Sequence, residues 1–116
     1  MDIVKASTTF YQDVLRVFVE PAIMEWIVDP LEEALDVAFF LEVDDAEAKE
    51  PKETGRIAGV EIVGFLEFDQ WAALPDLPLR WQLGDWEPLP LVDLLKRLQS
   101  ELRARAEAGT PHRAAS

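Results

Sequence analysis

The chain has no cysteine, no asparagine and a single histidine among its 116 residues. Without cysteine there is no disulfide framework and no thiolate chemistry. The one histidine, His112, falls in a stretch read as a C-terminal tail, which argues against a Ser-His-Asp arrangement and against a histidine-rich metal site. No glycine-rich loop stands between a strand pattern and a helix pattern, so nucleotide binding has no motif to rest on. Long apolar runs are missing too. None approaches the roughly 18 to 20 residues needed to cross a bilayer, and the densest stretches, Val14–Val19 and Val37–Leu41, are soon broken by charge. The opening Met1-Asp2-Ile3-Val4-Lys5 lacks a basic start leading into an apolar run, so no secretory leader is expected and the cytoplasm is the expected compartment. Absence of asparagine and cysteine beside eight prolines fits a thermophilic source, although a GC-rich genome produces the same absence.

What is present is hydrophobic and acidic. Hydrophobic residues make up 49% of the chain, which predicts a folded domain, and the length allows one core. The net charge is −12 and unevenly placed. From Lys96 onward there are five basic residues against Glu101 and Glu107, a net of +3, whereas the preceding 95 residues hold six basic and 21 acidic residues, a net of −15. Such a body repels nucleic-acid phosphates and anionic membranes and attracts basic partners. The plainer reading is that the excess keeps a small protein soluble. Part of the basic stretch lies at a helix C-terminus, where cations favour the dipole in any case.

Hydrophobic periodicity organises the chain. Residues Ser7–Glu20 fit two patterns: Phe10, Val14 and Phe18 at helical spacing with a Thr9–Gln12 capping box, or a β-branched strand through Val14–Val19. The strand is preferred. Ile23–Val28 reads as a short strand and Asp29-Pro30 as a turn. Leu35, Val37, Phe39, Leu41 and Val43 alternate along the next strand. Asp44–Thr54 is a charged, solvated loop, after which Ala58, Val60, Ile62, Leu66 and Phe68 share one face across Arg56–Phe68. A Pro- and Trp-rich connection, Leu74–Pro90, follows and is expected to fold onto the body. Pro90 and Asp93 then start a helix with a stripe of Leu91, Leu94, Leu95, Leu98 and Leu102, stopped by Gly109. The expectation is α+β: an antiparallel meander of three to four strands with a C-terminal amphipathic helix packed on one face. A single domain would occupy residues 1–109, with a disordered tail at 110–116.

Two pieces of the meander, Val28-Asp29-Pro30-Leu31-Glu32-Glu33-Ala34-Leu35-Asp36 and Gly55-Arg56-Ile57-Ala58-Gly59-Val60-Glu61-Ile62, resemble a family of short bacterial and archaeal domains of unknown function. Its members read Tyr-Asp-Pro-x-x-Asp-x-Leu-Tyr, then an acidic stretch, then Gly-x-Ile-x-Gly-Ile-Glu-Ile. Here Val28 and Asp36 stand where the tyrosines would be, and Glu33 stands for the second aspartate. The resemblance spans about residues 23–68, implies a β-meander and transfers no catalytic residue. Physics accounts for the same motifs: Asp29-Pro30 initiates a turn, and Gly59 lets a chain or ring pack closely against the strand.

Two groups of residues are candidate sites. Asp29, Glu33, Asp36 and Glu61 form the nearest approach to a catalytic or Mg²⁺-binding carboxylate cluster. No basic or nucleophilic partner accompanies them, so turn chemistry is the favoured reading, and no catalytic residue, metal or cofactor is expected. Asp44, Asp45 and Glu47 lack the ligand spacing and glycine of a calcium loop. The four tryptophans (Trp26, Trp71, Trp81 and Trp86) suggest a stacking platform, but in a small acidic domain they are better read as core. The second group is apolar: Phe40, Ile57, Val63 and Phe65 should form a second sheet face that the helix cannot cover, favouring a homodimer through it. The sequence thus points to a non-enzymatic, self-associating interaction module. Its alternatives are an acidic partner that neutralises a basic protein, as an antitoxin or nucleic-acid mimic does, and, less favoured, a carboxylate-based metal-dependent hydrolase.

Overall fold

A computed structural model describes residues 2–108; the expected tail at 110–116 with His112, and the helix stop at Gly109, lie outside the described residues. The chain runs through β1 (Asp2–Tyr11), β2 (Val14–Glu20), β3 (Trp26–Pro30), β4 (Val37–Val43), β5 (Glu53–Val63), β6 (Leu79–Leu83) and α1 (Leu91–Ala108). Single 3-10 turns at Phe65–Glu67 and Trp71–Ala73 link β5 to β6. The class is α+β with a C-terminal helix, as the periodicity predicts. The sheet is larger than expected and differs in kind: six strands in the order β3-β4-β5-β2-β1-β6 rather than a meander of three to four. It is mixed, because β6 runs parallel to β1 while the other neighbours are antiparallel.

Local chemistry explains the additions. In β1, Val4, Ala6, Thr8 and Phe10 turn inward while Lys5, Ser7 and Thr9 stay exposed. The capping-box reading of Thr9 and Gln12 is replaced by a hairpin. Gln12 and Asp13 have φ of 52° and 62°, the positive pair that a two-residue type I′ turn requires, and Tyr11 pairs with Val14. In β6, inside the Pro- and Trp-rich connection, Trp81 is fully buried. Trp81 also exchanges backbone hydrogen bonds of 2.7 and 3.0 Å with Leu89, so this edge of the sheet is partly covered.

Other boundaries move as well. β3 contains Pro30, which an edge strand tolerates, and the turn falls at 31–36. β4 starts at Val37, leaving Leu35 82% exposed instead of in the core. β5 ends at Val63 because Gly64 adopts φ 68° and redirects the chain into the 3-10 turn.

One layer of core lies between the sheet and α1. Leu15, Val17, Val37, Phe39, Val60 and Ile62 from the central strands meet Trp81 and the helix stripe Leu91, Leu94, Leu95 and Leu98. The helix is further fixed by a polar clasp. Gln99 is buried, and its Nε2 donates to the carbonyl oxygens of Phe65 (2.7 Å) and Phe68 (2.8 Å). Arg103 Nε donates to Leu66 O at 2.7 Å. From the other side, Leu66 N–H donates to Asp13 Oδ1 at 2.8 Å. Gln99→Leu removes both donors from buried carbonyls and is expected to cost about 2 kcal/mol. A thermal melt compared with the exposed Ser100→Leu checks this, and equal melting of the two variants would refute the clasp.

Candidate interaction surface

The carboxylates expected to cluster are dispersed. Asp29 pairs with Phe39 across β3 and β4 and projects on the helix side of the sheet, whereas Glu61 lies on the other face and accepts from Arg16 Nε at 2.8 Å. Glu33 and Asp36 are exposed in the 31–36 turn, where Asp36 O accepts from Val63 N–H. Among the described residues no three His, Cys, Asp or Glu side chains are grouped as metal ligands. The loop acids do turn chemistry: Asp44 Oδ1 accepts from Asp45 and Lys52 N–H, and Asp45 Oδ1 from Glu47 N–H.

The expected self-association face is also redistributed. Phe40 and Val63 do lie on the outer face, away from α1. Ile57 does not. Register passes from Phe40↔Gly59 to Leu41↔Ile57, so Ala58 is an extra residue on β5, and this bulge turns Ile57 to the core side. Phe65 is fully buried in the 3-10 turn, 6.4 Å edge-to-face from Phe10. Phe40 is itself only 4% exposed, because Trp26 (4.5 Å) and Phe18 (5.5 Å, nearly parallel) close over it. The rings sit over Gly59, which has no side chain to hold them off. Of the tryptophans, Trp81, Trp71 and Trp86 serve the core side and Trp26 the outer cluster. Around that cluster stand the polar groups Arg16 with Glu61 and Glu42 with Thr54 and Arg56, while Val28 and Val63 stay exposed on the same face.

Two open clefts flank the helix side. One, of ≈ 640 Å³, runs between β1, the Gly84–Trp86 turn and α1, with Phe10, Leu15 and Leu98 beneath Asp85, Glu101 and Arg105. The other, of ≈ 580 Å³, is lined by Val4, Val19, Ile57 and Leu77 together with Asp2, Lys5, Glu20 and Arg56. Neither lining includes a histidine or cysteine, and the first has Thr8 as its sole hydroxyl.

The strongest asymmetry is electrostatic and lies at the β3 edge. Residues 21–52, which build β3, β4 and the loops around them, carry ten carboxylates against Lys49 and Lys52, a net of −8. Strand order sets this acidic half at the opposite edge from β6, against which α1 packs, about 24 Å away at normal strand spacing. Exposed apolar residues stand among the acids: Met24 (82%), Val28 (53%) and Leu35 (82%). Sequence reading located the acidic excess but not this edge. A running charge sum over 21–52 marks the segment, while its gathering along one edge depends on strand order. The chain matches no known protein family, no curated protein and no solved structure, so the hairpin resemblance remains one of short motifs.

Proposed function

We propose that the chain is a non-enzymatic binding module whose acidic β3–β4 half engages a basic protein. The carrying observation is the folded segregation of charge, with a net of −8 in the β3–β4 half at one edge of the sheet. Scattered surface charge serves solubility equally well, but charge gathered on one edge around exposed apolar side chains forms a field that steers an oppositely charged partner and rejects like-charged ones. The same field opposes docking of two copies through this half, which favours the neutralising role over self-association. Dispersal of Asp29, Glu33, Asp36 and Glu61 removes the support for the hydrolase alternative.

The test is retrieval of the native partner from the source cells at low salt, followed by its identification and direct titration. A single stoichiometric partner with a basic isoelectric point is expected. Glu32→Lys/Glu33→Lys/Asp36→Lys, three exposed changes in one turn, should weaken its binding by at least about 100-fold while melting within about 3 °C of wild type. A partner with an acidic isoelectric point, or one held equally by the charge-reversed variant, would overturn the reading.

A further inference from the structure

The two edges of the sheet are not equivalent. On β6, Trp81 has its outward backbone groups taken up by Leu89. On β3 the outward groups have no such cover among the described residues. Leu31 N–H donates to Val37 O and Val43 N–H donates to Glu25 O, in register with the pairs Ile27↔Leu41 and Asp29↔Phe39. The odd-numbered residues are therefore the ones bonded to β4, because an antiparallel pair alternates bonded and non-bonded positions. The even-numbered residues turn their backbone groups away from the sheet. The N–H and C=O of Trp26 and Val28, together with the C=O of Pro30, form an open ladder edge.

Side chains along this edge are sorted by face. Trp26, Val28 and Pro30 project on the outer face, so that row is apolar. On the helix side stand Ile27 and Asp29, preceded by Glu25. Both ends of the strand are acidic. Glu25 is bonded to Val43 and so lies beside the start of the Asp44–Asp45 loop, while Glu32, Glu33 and Asp36 occupy the turn after Pro30. Charge on an edge strand usually serves to prevent pairing. Here it does so selectively: a second copy of the edge brings the same acids and is repelled, whereas a basic strand is attracted.

Resting on the reading of a basic partner, we infer that the partner docks by adding a strand to β3, and that this strand alternates apolar with Lys or Arg residues. Its backbone completes the ladder at Trp26, Val28 and Pro30. Its apolar residues lie beside Trp26 and Val28, and its cations lie beside Asp29 and Glu25. Strand addition draws affinity from main-chain hydrogen bonds and specificity from alternate side chains, and the sorted faces of β3 match that division.

The probe is an acetylated, amidated octapeptide alternating lysine and valine, and its counterpart N-methylated at alternate residues has the same charge but cannot pair. Binding is read by fluorescence and by amide exchange. The alternating peptide should slow exchange at Trp26 and Val28 and bind at least about tenfold more tightly than the N-methylated one. Val28→Pro keeps β3 paired to β4, since the lost N–H faces outward, and should lower peptide affinity by about tenfold or more. If Val28→Pro and N-methylation change nothing while Glu32→Lys/Glu33→Lys/Asp36→Lys weakens binding, strand addition is wrong and the basic-partner reading stands. If none of these changes affects binding, both are wrong. A concentration-dependent dimer in which Trp26 and Val28 are protected without peptide would assign the edge to a second copy and overturn the inference.

Discussion

Leu94→Asp is expected to leave no cooperative unfolding transition at room temperature. Leu94 is fully buried between α1 and the sheet, as is Leu95 one residue on. Truncating such a leucine costs about 2–5 kcal/mol from lost transfer energy and the cavity left behind. Aspartate adds an unpaired carboxylate with no neighbouring cation in the leucine stripe, and the combined cost approaches the about 5–15 kcal/mol that holds a whole domain together. Leu98→Ala, at a position 7% exposed, is the graded version. It should cost about 3 kcal/mol and lower Tm by about 12–24 °C. Glu107→Ala on the exposed side of the same helix should stay within about 0.5 kcal/mol of wild type. Near-ultraviolet circular dichroism and thermal melts check all three, and a Leu94→Asp protein that melts like wild type would show that α1 does not dock.

Gly59→Val should destabilise the domain through the outer face of the sheet. A Cβ at this position meets the backbone carbonyl oxygen of Val17 and lies 3.1 Å from Phe18 Cδ1 and 3.2 Å from Phe40 Cδ2. β5 is held between β2 and β4, so it cannot slide away from either neighbour. Replacing glycine in a strand regains about 0.5–1 kcal/mol of backbone entropy, but overpacking of this kind costs about 1–3 kcal/mol for a rigid neighbour, and a branched side chain sits at the upper end. The clash wins. A net loss of about 2 kcal/mol is expected, read as a fall in Tm of about 8–16 °C. Phe40→Leu in the Gly59→Val background relieves the ring contact but not the carbonyl contact, so it should recover only part of the loss; full recovery would show that the strand backbones are not the obstacle.

These two sites also show where sequence reading succeeds and where it stops. The Leu91–Leu102 stripe is legible because a docked helix repeats its apolar positions every three to four residues, and the strand pattern from Val37 to Val43 is equally direct. Gly59 is legible as a close approach, though not the rings that fill it. β1 is hidden because the small Ala6 and the polar Thr8 weaken its inward row, and its turn uses Gln12-Asp13 rather than a glycine pair. β6 is hidden among prolines that usually mark a loop. The Ala58 bulge leaves no mark in periodicity, yet it moves Ile57 from the expected apolar face to the core side. For the same reason the acidic excess was legible as a number, while the open β3 edge needed the register.

The central claim is that the concentrated charge of the β3–β4 half drives binding to a basic protein. Affinity of the purified partner at 50 and at 500 mM salt tests it most directly, since screening between exposed charges tightens from about 14 Å to about 4 Å over that range. The account predicts a loss of at least about 100-fold in Kd for wild type and a much flatter response for the charge-reversed turn variant. An affinity that is the same at both salt concentrations would contradict it.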